Sequence, residues 1–227
     1  MESVESYADR LEQETDLQAE FAERTEQLWG TIESHFLDNW EGCDRVRRSI
    51  LMQHYGAPTR LLDWTISIYV ATFFCCVSER SEDGAIWWVN LREYQEASEP
   101  LKENLKKVIN YEGDFDYNKH VYSVFPTGFV GLLGVNIPFM RIECQQAAFT
   151  IGDQLGQDHD EFIREIVPDS KRGRIIIPAV VKADALNALR QMNITAASLL
   201  YNGADSIGLR MAWERQRKLE AASPPAS

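Results

Sequence analysis

Apolar side chains recur at helical spacing through the first 41 residues: Tyr7, Leu11, Leu17, Phe21, Leu28, Ile32, Phe36 and Leu37, on a strongly acidic background. The pattern predicts one or two amphipathic helices, with the apolar stripe on a core and the acidic face in water. From Ser49 the spacing changes. An apolar run ends at His54-Tyr55-Gly56, and Ala57-Pro58-Thr59 reads as a turn, since Pro sets φ and Gly permits unusual backbone angles. Leu61 to Thr65 then reads as a short buried strand ending in polar groups. Ser67 stands where a helix N-cap belongs, and Tyr69, Val70, Phe73, Phe74 and Val77 resume helical spacing.

Gly84 to Leu91 is dense in β-branched and aromatic residues, which predicts a strand buried on both faces with Trp87 and Trp88 pointing oppositely, one into the core and the other into further core packing or, as the alternative, a pocket wall. Arg92 to Ile109 predicts a helix in two pieces, broken near Pro100. Asn110 to Ile137 is loop-rich, with many aromatics and three glycines after Thr127, but it lacks the spacing of a phosphate-binding glycine loop. Phe139 to Ile151 predicts two short strands or one bent strand. Arg174 to Ile177 is a strand ended by Pro178, Lys182 to Met192 a helix, Ala197 to Leu200 a strand, and Ser206 to Leu219 a last helix.

The expected fold is therefore α+β: a single domain with a central mixed sheet flanked by helices. The sheet would use strands near 60–64, 84–90, 139–142, 146–151, 173–177 and 195–200. Residues 1–42 form an acidic helical segment packed on the domain, 43–219 the domain itself, and 220–227 a disordered tail. At 227 residues the chain can bury one good core.

Charge changes what such a fold would do. The formal net charge of −12 argues against a general nucleic-acid grip, which needs a basic surface. No apolar run reaches the length of a membrane span, and the acidic N-terminus is unlike a signal peptide. Cys43, Cys75, Cys76 and Cys144 show no CxxC spacing, so no metal site is expected, and free buried thiols fit a cytoplasmic setting.

Within the apolar run from Ser49 to Val77, seven hydrogen-bonding side chains gather at the strand ends: His54, Tyr55, Thr59, Arg60, Asp63, Thr65 and Ser67. Buried polar groups bond one another or face a ligand. In the structural alternative, Asp63 pairs with Arg60 or caps the next helix, and Thr59 closes the turn. The stretch Gln53-His54-Tyr55-Gly56, Pro58 to Thr65, with Ala71 and Phe74, closely resembles the hallmark of the FRG domain family. A second block resembles the family at Arg141, Gln145, Phe149 and Thr150, with Ala147 replacing the usual Gly. A third runs from Ile177-Pro178 to Asp205, with Asn202 where Pro usually stands. The resemblance thus covers about residues 45 to 215. The family's Phe/Tyr-Arg-Gly tripeptide does not occur in residues 1–52, which is expected either of a chain begun late or of a divergent member.

The resemblance implies a distant likeness to ADP-ribosyltransferases and hence NAD as the bound nucleotide, in a bacterial setting of phage defence or toxin-like activity. On that analogy Asp63, Gln145, His54 and Glu143 are the catalytic candidates. Tyr55, Thr59, Arg60, Trp64, Thr65, Ser67 and Arg141 would hold the cofactor. Cleaving the nicotinamide–ribose bond develops oxocarbenium charge that a carboxylate or polar wall stabilises; Trp64 or Tyr55 could stack on nicotinamide, and Arg60 or Arg141 could meet phosphate. Two other classes stand beside this one. A non-catalytic binding or regulatory module would use the acidic N-terminal helices to meet a protein partner. A nucleotide or nucleic-acid hydrolase would use His54 with Asp63 or Glu143 as base and acid. His35, His120 and His159 are expected at the surface.

Overall fold

The computed structural model describes residues 44–54, 59–122, 127–133, 140–154 and 156–200, together with Asp16 and Ala19, and leaves aside the side chains of Leu51, His54 and Met140. The described residues divide into two compact units. One is drawn from Met1–Asp63, Val89–Gly134 and Phe149–Gly173, the other from Trp64–Trp88, Val135–Ala148 and Arg174–Ser227. The acidic N-terminal stripe, the last predicted helix and the tail lie outside the described residues, apart from Asp16 and Ala19, which are helical.

The α+β class holds, with helices and antiparallel strand pairs. In place of one central mixed sheet there are two sheets, one of three strands in the order β1-β4-β3 and one pairing β2 with β5. The strands are β1 (Leu61–Thr65), β2 (Gly84–Val89), β3 (Val130–Leu133), β4 (Ala147–Gly152) and β5 (Arg172–Ile177).

In the first unit β3 pairs antiparallel with β4, Val130 opposite Gly152 and Leu133 opposite Phe149. The Gly152 N–H donates to the Arg60 carbonyl at 3.4 Å, tying β4 to the start of β1. Helix α1 (Arg45–His54) begins beside Asp44, whose carboxylate accepts the Arg47 N–H. It buries Ser49, Ile50 and Met52. Helix α3 (Leu91–Val108) is capped by Asn90 and strongly amphipathic, burying Tyr94, Ser98 and Leu105. It continues through Pro100 rather than breaking there. Pro100 is exposed, so the carbonyl it leaves without an N–H partner lies on a wet stretch of helix. The Tyr94 hydroxyl donates to the Val130 carbonyl at 2.6 Å and burial raises its pKa. Helix α4 (Tyr117–His120) lies near α1, and α6 (His159–Ile166) packs on α3. Gly131 admits no side chain, because a Cβ there would collide with the Tyr117 ring. Phe129, Val130, Leu133, Phe149, Ile151, Phe162 and Ile163 are buried.

In the second unit α2 (Ile68–Val77) and α7 (Ala179–Gln191) make the main helix pair. Their core joins Val70, Phe73, Cys76, Leu186 and Leu189 to Ala196 and Leu199. Ser67 caps α2 as its position predicts, accepting the Val70 N–H at 3.4 Å. Lys182, only 2 % exposed, donates to the Ser78 and Glu79 carbonyls beyond the C-terminus of α2, where a cation complements the helix dipole. The Asp83 carboxylate accepts the Ala179 N–H at the start of α7.

Several expectations are corrected. Phe139 to Ile142 was expected as a strand, but Met140–Cys144 is a short helix, α5. Residues 195–200 were also expected as a strand, yet Ala196–Leu199 is helical, α8, because Thr195 and Ser198 close a reciprocal capping box. β3 falls where a loop was expected. Neither β1 nor β2 is buried throughout. Among β2 residues only Ile86 is buried, and Trp87 and Trp88 are 47 % and 41 % exposed. Apolar density alone does not say what covers a strand.

Candidate functional site

The hallmark residues divide between the two units. In the first, Gln53 on the last turn of α1 holds two of them. Its Nε2 donates to the Asp63 carboxylate at 2.9 Å, and its Oε1 accepts the Thr59 hydroxyl at 2.5 Å. The Thr59 oxygen also accepts the Leu61 N–H at 3.2 Å, while the expected turn at Ala57-Pro58 lies outside the described residues. Asp63 is exposed. It neither pairs with Arg60 nor caps α2; those expected partners are replaced by Gln53 and Ser67.

Arg60 is 5 % exposed. Its Nη1 donates to the carbonyls of Val121, Gly152 and Asp153, and its guanidinium lies 4.7 Å from the Tyr122 ring centroid. A planar, permanently charged fork suits several carbonyls at once while stacking on an aromatic face. Tyr122 in turn shares a 2.7 Å hydrogen bond with Ser49. The arginine thus ties the start of β1 to the end of β4 and to the α4 region. Beside it, Asp153 is buried and accepts both the N–H and the hydroxyl of Thr127, at 2.8 and 2.6 Å. Burial raises its carboxyl pKa, against the opposing effect of these bonds and of backbone N–H groups.

A cleft of about 290 Å³ opens next to the hallmark, lined by Thr59, Arg60, Leu61 and Leu62 on one side and by Gln154 and Gly156 to Asp160 on the other. His159, expected at the surface, is 8 % exposed and shares a 2.7 Å bond with the buried Thr150 through Nδ1. Burial holds its pKa below the usual histidine range, with Asp158 partly opposing. His120, also expected at the surface, is fully buried, stacked on Phe115 with centroids 4.3 Å apart. Both corrections have one cause: each ring sits on a short helix that packs inward, and a polar flanking sequence hides that.

In the second unit the Thr65 hydroxyl donates to the Gln145 carbonyl at 2.7 Å and accepts the Ser67 N–H at 3.1 Å. The Gln145 side chain donates to the Leu199 carbonyl at 3.0 Å. Thr65 thus organises the backbone at the entry to α2, and Gln145 ties the end of α5 to α8. Glu143 is exposed on α5, Arg141 half-buried on the same helix, and Trp64 half-buried on β1. Tyr55 lies outside the described residues, as does the His54 side chain. Sequence reasoning did not single out Gln53, His159 or Gln157 as site residues. Gln53 carried a signal, being the first residue of the hallmark, immediately before its polar cluster.

Among the described residues no group of three His, Cys, Asp or Glu side chains is placed to hold a metal ion, and no helix is long and apolar enough to cross a membrane. Fold and site together define an α+β protein with a polar hallmark running from the end of α1 into β1. The family model described as FRG domain matches residues 2–84, so the resemblance to that family holds over the N-terminal part of the chain and through the hallmark. No curated protein and no solved structure matches the chain.

Proposed function

We propose that this FRG-domain segment serves a nucleotide-directed activity of the ADP-ribosyltransferase kind, acting at the exposed end of the hallmark. The observation that carries the reading is the Gln53–Asp63 pair. Asp63 keeps its carboxylate in solvent while Gln53 orients it, whereas Arg60, Thr65 and Ser67 bond the chain's own backbone. In this reading NAD is the substrate. The bond between nicotinamide nitrogen and ribose C1′ breaks with its electron pair leaving on nicotinamide. Asp63 stabilises the oxocarbenium charge, and an acceptor nucleophile forms the new bond to C1′, its proton passing to the carboxylate or solvent.

A second reading is supported by Arg60, Thr65 and Gln145, whose side chains donate to backbone carbonyls. A hallmark spent on its own fold fits a non-catalytic binding module. One experiment separates the two: calorimetric titration of the full chain with NAD and ADP-ribose, with nicotinamide release followed in parallel, for the parent and Asp63→Ala. The transferase reading expects saturable binding and nicotinamide release, with release lost in a well-folded Asp63→Ala. No binding to a folded parent at millimolar NAD would reject it in favour of the module.

A further inference from the structure

We infer that Thr59 is a positioning residue for the proposed transfer: it fixes which end of the Gln53 amide meets Asp63, and so holds the carboxylate in one orientation. The inference rests on the transferase reading for its reaction, and for its geometry on hydrogen bonds within the first unit. Leu61, Thr59, Gln53 and Asp63 form one directed chain. The Leu61 N–H donates to Thr59 Oγ1 at 3.2 Å, the Thr59 hydroxyl donates to Gln53 Oε1 at 2.5 Å, and Gln53 Nε2 donates to Asp63 Oδ2 at 2.9 Å. Every bond points the same way, from a backbone donor to an anionic acceptor, so each polarises the next.

A glutamine amide can be turned end for end with almost no change of shape, and the two ends differ in which carries the hydrogens. Here both neighbours select the same end. An ionised carboxylate only accepts, so Oε1 turned toward Asp63 would set two acceptors together. Thr59 has one hydroxyl hydrogen, and its oxygen already takes the Leu61 N–H, so that hydrogen goes to Gln53 Oε1. Asp63 is exposed, and a surface carboxylate turns about its last bond unless a fixed donor holds it. Gln53 is that donor, half-buried on α1 and anchored at its other end by the half-buried Thr59. The bond takes Oδ2, and among the described residues no hydrogen bond reaches Oδ1. Oδ1 is therefore the oxygen presented to the charge that develops at C1′. A carboxylate left to rotate would present it only part of the time, which slows the chemical step more than it weakens binding.

The test compares the full chain with Thr59→Val, which keeps the shape and removes the hydroxyl, with Thr59→Ser, which keeps the hydroxyl, and with Gln53→Met. Nicotinamide release from NAD is followed beside solvent exchange of the Gln53 side-chain amide in NMR. Thr59→Val and Gln53→Met should lower kcat on the order of tenfold while KM stays within about twofold of the parent. Thr59→Ser should keep kcat within about threefold of the parent, and Thr59→Val should add nothing to the loss in Asp63→Ala. The Gln53 amide should exchange slowly in the parent and in Thr59→Ser, and faster in Thr59→Val. A Thr59 that served the fold alone would lower the melting temperature and leave kcat untouched. Gln53→Met carries the kinetic test if Thr59→Val does not fold. Unchanged kcat in either folded variant, a loss that Thr59→Ser shares, or an amide exchanging alike in parent and Thr59→Val would overturn the inference. No release by a folded parent would reject the transferase reading and the role in transfer with it; the exchange measurement then decides by itself whether Thr59 fixes the Gln53 amide.

Discussion

Arg60 illustrates how a charged residue is held in an interior. Nη1 donates to carbonyls from two separate segments, and the ring of Tyr122 covers its face. Lysine has the charge but not the fork, so Arg60→Lys should leave carbonyls without donors. A loss of about 2–4 kcal/mol is expected in urea unfolding without any ligand present; an unchanged midpoint would mean the arginine is not structural. His159 makes a pH prediction. Its folded pKa is lowered from 6.5 by burial. Above 6.5 both folded and unfolded rings are neutral and the contribution is complete. As pH falls from there the unfolded chain binds a proton that the folded ring resists, so stability is lost until pH has passed the folded value. Parent protein should therefore lose more stability between about pH 7.5 and about pH 5.5 than His159→Phe does, measured by paired urea melts. Equal slopes would show that the ring is solvated in the folded state.

At the level of elements, the second unit depends on one helix pair. Phe73 on α2 is 2 % exposed and belongs to the cluster with Leu186 and Leu189 on α7. Phe73→Ala should cost about 3–5 kcal/mol, from lost burial and from the cavity left behind. Thermal and urea unfolding measure it, and a cost below about 1 kcal/mol would mean that α2 does not pack as described. The helix starts are local features that sequence can announce. Ser67, Asn90 and Asp158 each accept N–H groups of the helix they precede. The short elements are less legible. Thr195 and Ser198 form a capping box within four residues, so a stretch of apolar residues that reads as a strand becomes α8. β3 was hidden by glycines, one of which is required by the Tyr117 ring from another segment.

For the whole molecule, charge and burial act on different scales. With a formal net charge of −12 the folded chain repels itself, and many ion pairs, such as Arg92–Glu96 and Lys171–Glu93, lie in solvent where they contribute little. Raising sodium chloride from about 0.02 to about 0.2 M should raise the melting temperature, because screening weakens the repulsion more than it weakens the pairs. A fall would mean that attractive surface pairs dominate. Sequence by itself determined the α+β class, the hallmark strand and the Ser67 cap, because these follow from periodicity and from side chains acting within a few residues. It also carried the family resemblance, since a dozen hallmark residues stand almost side by side between Gln53 and Thr65. Only the tertiary structure decided the partners. Asp63 meets Gln53, Arg60 meets carbonyls some 61 to 93 residues away, and His159 turns inward onto Thr150. Hydrogen bonds over such separations depend on how strands and helices pack, and no local pattern along the chain encodes which donor will face which acceptor.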